Sequence, residues 1–267
     1  MVKKLFFISL FTTYLFGINS LELANNLVNN PAKYSQIELL FKNQSHKDSN
    51  GNLNIDTISR ILKSNSLLNL TLSNSQSLKL NFKARADSVV FFKIINDALN
   101  DAGYTYFITT DLIIKDDFID YTIRVETKYV LDPGTFYNLL KSSAVFIDNI
   151  KKLASNHYEY ELNFSNAIMK TNTRLDLNVP KTLEKPFKDY TISLINARSI
   201  NIKSSDSDNW YPKILFLDRN LNLIKSINST SKKKVLNEAV PSAASYVIIS
   251  DMYTLDNIKR GLEVTLK

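Results

Sequence analysis

The sequence predicts an α+β protein in three parts: a short helical segment, an α+β module and a C-terminal all-β sandwich. Helical patterns fill residues 21–66, strand and helix patterns alternate over residues 67–166, and beyond residue 189 nearly every signal is that of a short strand. The chain has 267 residues, enough for more than one core, because single domains cluster around ~100–150 residues.

Residues 1–20 have the pattern of a signal peptide. Lys3 and Lys4 precede the apolar stretch Leu5–Phe16, which is too short to span a bilayer comfortably. Cleavage is expected after Ser20 or after Ala24, and an uncleaved N-terminal anchor is the alternative. The sequence therefore predicts a protein of the periplasm or a secreted protein, with no integral membrane segment after signal removal.

Composition limits the classes of function. The chain has no cysteine, which excludes a disulfide framework and a lipoprotein attachment site, and only 5 glycines, which argues against phosphate-cradling loops. The net charge is +7, or about +5 without Lys3 and Lys4, and the charges alternate in sign. Nucleic acid is therefore not an expected partner.

One basic run interrupts this alternation. Lys232, Lys233 and Lys234 lie among serine and threonine in an expected loop. The run is interpreted as solvated, and contact with anionic lipid or polysaccharide is the alternative.

The helical segment is expected to hold three helices. The first two span Leu21–Val28 and Tyr34–Lys42, and a third, capped by Asp56, follows the polar loop Asn43–Asn54. The segment is too small for a core of its own, so we expect it to pack on the module that follows.

The polar loop contains a metal-like motif. Oxygen-bearing side chains occupy alternate places of an EF-hand-type calcium loop: Asp48, Asn50, Asn52, Asn54 and Asp56. The sixth place, which needs glycine, is Leu53, and the twelfth, which should supply a bidentate carboxylate, is Ser59. The sequence favours a polar turn that caps a helix and no cofactor, with calcium as the alternative.

In the α+β module the sequence pattern predicts the bounds of each helix and strand. Its expected elements are strand Ser77–Arg85, helix Ser88–Ala102, strands Tyr104–Ile114 and Phe118–Tyr129, helix Pro133–Lys141, and strands Ala144–Lys151 and Tyr158–Ser165. The β-α-β-β-α-β order predicts a sandwich of ferredoxin-like type with its helices on one face.

Residues 78–107, LKLNFKARADSVVFFKIINDALNDAGYTYF, resemble the βαβ modules of secretin N-domains and of the N-terminal signalling domains of outer-membrane receptors. The shared pattern is an alternating strand, a helix, a glycine (Gly103) and a second strand. The whole chain is similar to uncharacterised secreted or periplasmic proteins of ε-proteobacteria in its low-glycine, Asn/Lys-rich composition. This resemblance implies envelope assembly or interaction and assigns no functional residue.

A polar connector, residues 167–188, precedes the C-terminal domain of residues 189–267. Its expected strands are Tyr190–Leu194, Ser199–Ser204, Tyr211–Asp218, Leu221–Ile227, Ser245–Asp251 and Gly261–Leu266. Short strands separated by turn residues predict a sandwich of immunoglobulin or jelly-roll kind.

The loop before one of these strands is the main candidate contact site. Trp210 and Tyr211 follow two acids, Asp206 and Asp208, so the loop could form a tip that stacks on a sugar or binds a partner. The alternative is that Trp210 packs the open end of the sandwich core.

Three other residues are of a type found at modification or catalytic sites. Asn163 fits the D/E-x-N-x-S/T acceptor pattern of bacterial N-glycosylation, although it lies in an expected strand. His46 and His157 are expected in solvent-facing loops and not at zinc or catalytic sites.

The sequence thus predicts an exported, non-enzymatic interaction or scaffold protein of the bacterial cell envelope. Its expected partners are envelope or host-surface proteins or glycans, bound through the α+β and sandwich domains. The alternative is an exported carboxylate-dependent hydrolase acting in a cleft between the domains.

Overall fold

The computed structural model describes residues 18–171 and 173–267, and these residues form a mixed α+β structure with open sheets. The predicted α+β class is confirmed. The predicted signal segment lies outside the described residues apart from its last three. Among the helices of the described ranges, none combines the length and the apolar content needed to cross a bilayer.

Three helices make up the N-terminal part: α1 (Ser20–Val28), α2 (Tyr34–Phe41) and α3 (Ile55–Ser64). Helix α1 begins at a capping box in which the Asn19 side chain accepts from the Glu22 amide and the Glu22 carboxylate accepts from the Asn19 amide, both at 2.9 Å. Helix α3 begins earlier than expected because Asn54, and not Asp56, caps it.

A five-stranded sheet with two helices follows: β1 (Thr71–Arg85), α4 (Ser88–Asp101), β2 (Ile108–Lys115), β3 (Phe118–Tyr129), α5 (Pro133–Lys141), β4 (Phe146–Ala154) and β5 (His157–Asn163). The strand order is β2-β3-β1-β5-β4. Strands β1 and β5 are parallel, and the other neighbours are antiparallel.

Helices α4 and α5 cover one face of this sheet. Phe82 of β1 packs against Phe136 of α5 and Tyr160 of β5, with ring centroids 5.6 and 5.4 Å apart. Phe91 of α4 meets Tyr121 of β3 edge to face. Buried side chains of α1, α2 and α3 belong to the same cluster, so the helical segment packs on the module as expected.

The C-terminal part contains eight strands: β6 (Lys181–Thr182), β7 (Tyr190–Ser193), β8 (Ser199–Ser204), β9 (Pro212–Leu217), β10 (Leu223–Asn228), β11 (Val235–Ala239), β12 (Tyr246–Asp251) and β13 (Leu262–Leu266). They form two four-stranded sheets, ordered β10-β9-β12-β7 and β11-β8-β13-β6. Buried side chains of both sheets belong to one cluster, so the sheets share one core. Strands β6 and β11 were missing from the prediction.

The connector joins the two parts through specific contacts. The Ile168 amide donates to the Ser143 carbonyl at 2.9 Å, and the Met169 amide donates to the buried Tyr246 hydroxyl at 3.1 Å. Met169, Leu217 and Tyr246 form a small apolar cluster between the two larger ones.

Candidate partner-binding surface

Strand β2 forms one edge of the five-stranded sheet and pairs only with β3. All eight of its residues are exposed. Four of them are large and apolar: Ile108, Leu112, Ile113 and Ile114. An edge strand presents unpaired backbone N–H and C=O groups, and an edge that is also long and apolar readily accepts another strand.

The pairing of β2 with β3 places apolar groups on both faces of the edge. Leu112 lies opposite Tyr121 on the helix-covered face, and Ile113 lies opposite Asp120 on the other face. A strand that is apolar on both faces is typical of the interior of a sheet. Strand β2 therefore exposes apolar side chains on both faces of an edge, alongside the charged Asp111 and Lys115.

A groove continues the edge beyond the first residue of β2. Because Ile108 pairs with Arg124, the remaining part of β3, Val125–Tyr129, extends past β2. The cavity there has a volume of about 430 Å³ and lies between the end of α4 and the start of α5. Two exposed tyrosines line it, Tyr106 (90% exposed) and Tyr129 (62% exposed).

Two polar groups of this groove are held by the fold. The Tyr104 hydroxyl donates to the Tyr129 carbonyl at 3.0 Å, and burial together with the charge of Asp132 raises the pKa of Tyr104. Asp132 caps α5 by accepting from the Gly134 amide at 2.9 Å and forms an ion pair with Lys63 at 2.7 Å. Both groups shape the groove wall.

The face of the sheet opposite the helices carries a network of charges. Lys83 pairs with Glu159 at 2.6 Å, and Lys151 pairs with both Glu159 and Glu161. Burial raises the pKa of Glu159, but the hydrogen bonds and charges of the two lysines outweigh it, so this pKa lies below its ordinary value.

Asp148 lies beside Glu161 at the edge of this network. Burial and the charge of Glu161 raise the pKa of Asp148 against the effect of its hydrogen bond with Asn163.

In the cleft between the two parts of the chain, about 280 Å³ in volume, Asp97 is paired with Lys93 at 2.6 Å. Asp148 and Glu161 lie on the sheet face and do not line that cleft.

The structure places Trp210 in the sandwich core, which is one of the two interpretations of the sequence. Its side chain is fully buried in the sandwich core, and its Nε1 donates to the Ser250 carbonyl at 2.9 Å. Asp208 is also buried and accepts from the Arg260 guanidinium at 2.7 Å and from the Arg260 amide at 3.1 Å. The indole therefore presents no face on which a sugar could stack.

The other two residues of that loop lie nearer the surface. Tyr211 is half-buried, and its ring meets Tyr253 edge to face at 4.9 Å. Asp206 is exposed. The structure thus places the four residues in two different environments.

The basic run Lys232–Lys234 stabilises the loop before Trp210. The Lys234 ammonium donates to the carbonyls of Ser205, Asp206 and Asp208 at 3.2, 2.7 and 2.6 Å. Lys232 donates to the Asn209 side chain at 3.0 Å. These two lysines hold the loop in place.

Asp48, the first of the candidate calcium ligands, makes its contacts with the protein itself. The Asp48 side chain is only 2% exposed and accepts from the amides of Asn50 and Asn52 at 2.9 and 3.1 Å. Its other oxygen accepts from the Tyr137 hydroxyl at 2.9 Å and lies 3.3 Å from Lys141 Nζ, both on α5. Protein donors thus occupy both oxygens of this carboxylate.

The remaining members of that motif have other roles. Asn50 is exposed, Asn52 is half-buried, and Asp56 forms an ion pair with Arg60. Across residues 18–171 and 173–267, no group of three or more His, Cys, Asp or Glu side chains is placed to hold a metal ion.

The two histidines and Asn163 lie at strand or loop ends. His46 is half-buried and packs edge to face on Phe41 at 5.4 Å, so it is not the solvent-facing residue that was expected. His157 begins β5, and burial and Lys79 lower its pKa against the effect of Glu159. Asn163 ends β5 and accepts from the Ser165 amide at 3.0 Å.

Comparisons of the chain with protein-family models, curated proteins and solved structures found no match. Functional inference therefore begins from the geometry. Sequence reasoning missed the β2 edge. The consecutive Leu112, Ile113 and Ile114 break the apolar–polar alternation of a strand with one buried face, but this pattern does not show that the strand lies at an edge.

Proposed function

We propose that this protein is an exported binding protein of the bacterial cell envelope that adds a strand of a partner polypeptide to its α+β sheet at β2. The observation that carries the proposal is the eight-residue edge, which is exposed throughout and carries four large apolar side chains distributed over both faces. Export is supported by the signal-peptide pattern of residues 1–20.

The proposal extends to the fold of the module, which we assign as ferredoxin-like with an added strand. Strands β1 and β2 both run antiparallel to β3, which lies between them, and α4 connects β1 to β2. This split β-α-β unit supports the assignment. Strand β5 is the addition, lying between β1 and β4.

Strand addition explains why apolar groups stand on both faces of the edge. The guest backbone supplies the hydrogen bonds that β2 lacks, and side chains on alternate positions set specificity. Leu112 and Ile114 would pack guest side chains on the helix-covered face, and Ile113 on the polar face. A guest of about six to eight extended residues matches the length of β2.

The groove offers a further contact for the same guest. A strand that continues past Ile108 runs along Val125–Tyr129 and reaches Tyr106 and Tyr129. Tyrosines supply large, rigid contact areas at low entropic cost. An aromatic or apolar residue near the end of the guest segment is therefore expected.

The experiment is site-specific photo-crosslinking in the native host. A photoreactive residue replaces Ile113 in β2 and, as the matched control, Ile224 in β10, an exposed apolar residue of another edge strand. We expect a discrete protein adduct from position 113 that is lost when Leu112→Lys is added. Adducts of equal yield from both positions, or none from position 113, would contradict the proposal.

A further inference from the structure

A loop of the C-terminal part displays an aromatic side chain among basic ones. Phe187 is 96% exposed, the largest fraction among the large apolar side chains of the described residues. Lys185 and Lys188 flank it closely in sequence, and both are exposed. Such exposure leaves the apolar surface of a whole phenyl ring in water, which is unfavourable unless something covers it.

The loop is held in place on both sides of Phe187. The Leu183 amide donates to the Leu262 carbonyl at 2.8 Å, and Leu183 itself is buried. Pro186 is buried, and the Tyr190 hydroxyl donates to the Glu184 carbonyl. The exposure of Phe187 is therefore fixed by the surrounding fold.

Gly261 packs closely against the start of this loop. A Cβ atom at this position would lie 1.8 Å from the Leu183 carbonyl oxygen, and the backbone φ is +82°. Only glycine satisfies both conditions without a shift of the backbone. The close approach pins the start of the loop against the turn before β13.

The surface beside Phe187 is strongly basic. Four cations and one carboxylate line a basin of about 470 Å³: Arg174, Lys181, Lys185, Lys188 and Glu184. The nearest ion pair, Lys185 with Asp256, spans 3.7 Å between two exposed side chains and is weak for that reason. The basin therefore attracts anions.

We propose that residues 181–188, together with Arg174, form a docking site for an anionic lipid surface. Phe187 enters the boundary between headgroups and acyl chains, and the four cations contact headgroup phosphates. An aromatic residue flanked by lysines has the chemistry that this boundary favours, with an apolar ring and cationic tips that stay in water. Charge complementarity with anionic headgroups selects this occupant. The site is independent of the β2 edge.

The experiment is co-sedimentation of the purified protein with lipid vesicles. Vesicles of equal parts phosphatidylglycerol and phosphatidylcholine are compared with vesicles of phosphatidylcholine alone. We expect at least roughly tenfold stronger partition onto the anionic vesicles, falling as salt is raised, because screening weakens contacts between exposed charges. Equal partition onto both vesicles, or none onto either, would overturn the proposal.

Two variants and two controls locate the site. Phe187→Ser and the pair Lys185→Ser/Lys188→Ser should each lower the partition about tenfold. Leu39→Ser, which removes another highly exposed apolar side chain, and Lys47→Ser, which removes another exposed lysine, should leave it unchanged. Unchanged melting temperatures verify folding, since all of these residues are exposed. If Phe187→Ser partitions onto the anionic vesicles as strongly as the wild type does, the proposed site is contradicted.

Competition with inorganic phosphate distinguishes binding to a lipid surface from binding to a phosphate group alone. Inorganic phosphate at millimolar concentration should leave vesicle binding largely intact, because the ring contributes a contact that phosphate lacks. Full displacement by phosphate would show a simple anion site. Capture of an acidic polypeptide without vesicle binding would show a protein partner, and both results overturn the proposal.

Discussion

At the residue scale, Asp48 ties the N-terminal part to α5. Its carboxylate receives two backbone amides of its own turn and two side chains of α5, Tyr137 and Lys141, about ninety positions away in the chain. Burial raises the pKa of Asp48, and the hydrogen bonds from Tyr137, the two amides and Lys141 more than offset it, so the pKa lies below its ordinary value. The ionised carboxylate therefore stabilises the fold.

Asp48→Asn should lower the free energy of unfolding at neutral pH by about 2–3 kcal/mol, because hydrogen bonds to a charged, buried group are lost. The control is Asp56→Asn, which weakens an ion pair with the exposed Arg60 side chain that is worth under about 1 kcal/mol. Urea unfolding of both variants measures the difference. Equal costs for the two variants would contradict the role of Asp48.

The same carboxylate predicts a pH dependence. Because the folded pKa is depressed, its contribution is complete above the unfolded value of about 3.9 and is lost as pH falls through the folded pKa. The difference in the free energy of unfolding between wild type and Asp48→Asn should therefore decrease as the pH falls below about 4. A gap that stays constant from pH 7 to pH 3 in urea titrations would show that ionisation of Asp48 does not stabilise the fold.

Calcium gives a third test at this residue. With both oxygens of Asp48 occupied by protein donors, millimolar calcium should leave the melting temperature unchanged. The measurement is thermal unfolding with calcium and with chelator. A clear rise that Asp48→Ala abolishes would restore the calcium interpretation of the loop.

At the element scale, helix α1 distinguishes between the two cleavage points at which an exported chain would begin. Leu23 and Ala24 are fully buried in the core, and Asn26 donates to Asn149 of β4 at 3.2 Å. A cut after Ser20 removes the cap but leaves both core side chains, whereas a cut after Ala24 removes them. Of the two predicted cleavage points, the helix favours the first.

Chains beginning at Leu21 and at Asn25 should therefore differ in stability. The shorter chain should unfold at lower urea, with a loss of at least about 3 kcal/mol, because a buried leucine and alanine leave a cavity. Mass spectrometry of the protein from its native host should find the start nearer Leu21. Equal stability of the two chains would contradict the role given to α1.

The elements also show how far sequence alone reaches. In β3, Ile119, Tyr121 and Ile123 alternate with polar residues, a period-two pattern that predicts one buried face, and all three are buried because this period is a local property of the chain. Strands β6 and β11 were missed because two residues, or a mostly exposed segment, carry no such pattern and pair through distant neighbours. That β2 lies at the edge depends on strand order, which no local pattern encodes.

The same limit applies to the candidate sites. Trp210 beside acids reads as a surface tip, but its burial depends on which face of the loop meets the sandwich core. For Asp48 the spacing of oxygen-bearing side chains left calcium open as an alternative, because its partner Tyr137 on α5 is remote in sequence. Chemistry-bearing residues could be found from the sequence, whereas the direction of their side chains could not.

At the scale of the whole molecule, a buried hydrogen bond ties the connector to the sandwich. Tyr246 of the sandwich accepts from the Met169 amide of the connector inside a small apolar cluster. Tyr246→Phe should cost about 1 kcal/mol by leaving that amide unpaired. It should also speed proteolysis of the connector, while Tyr253→Phe, at an exposed ring, should do neither. Unchanged proteolysis in Tyr246→Phe would show that this bond does not hold the connector.

The central claim is that β2 receives a partner strand. Amide hydrogen exchange of the protein bound to its crosslinked partner, compared with the free protein, tests it most directly, because added strands protect backbone amides. We expect the exchange of β2 amides to slow at least about tenfold while that of β10, an edge strand of one of the two C-terminal sheets, is unchanged. Unchanged exchange in β2, with protection appearing elsewhere, would contradict strand addition.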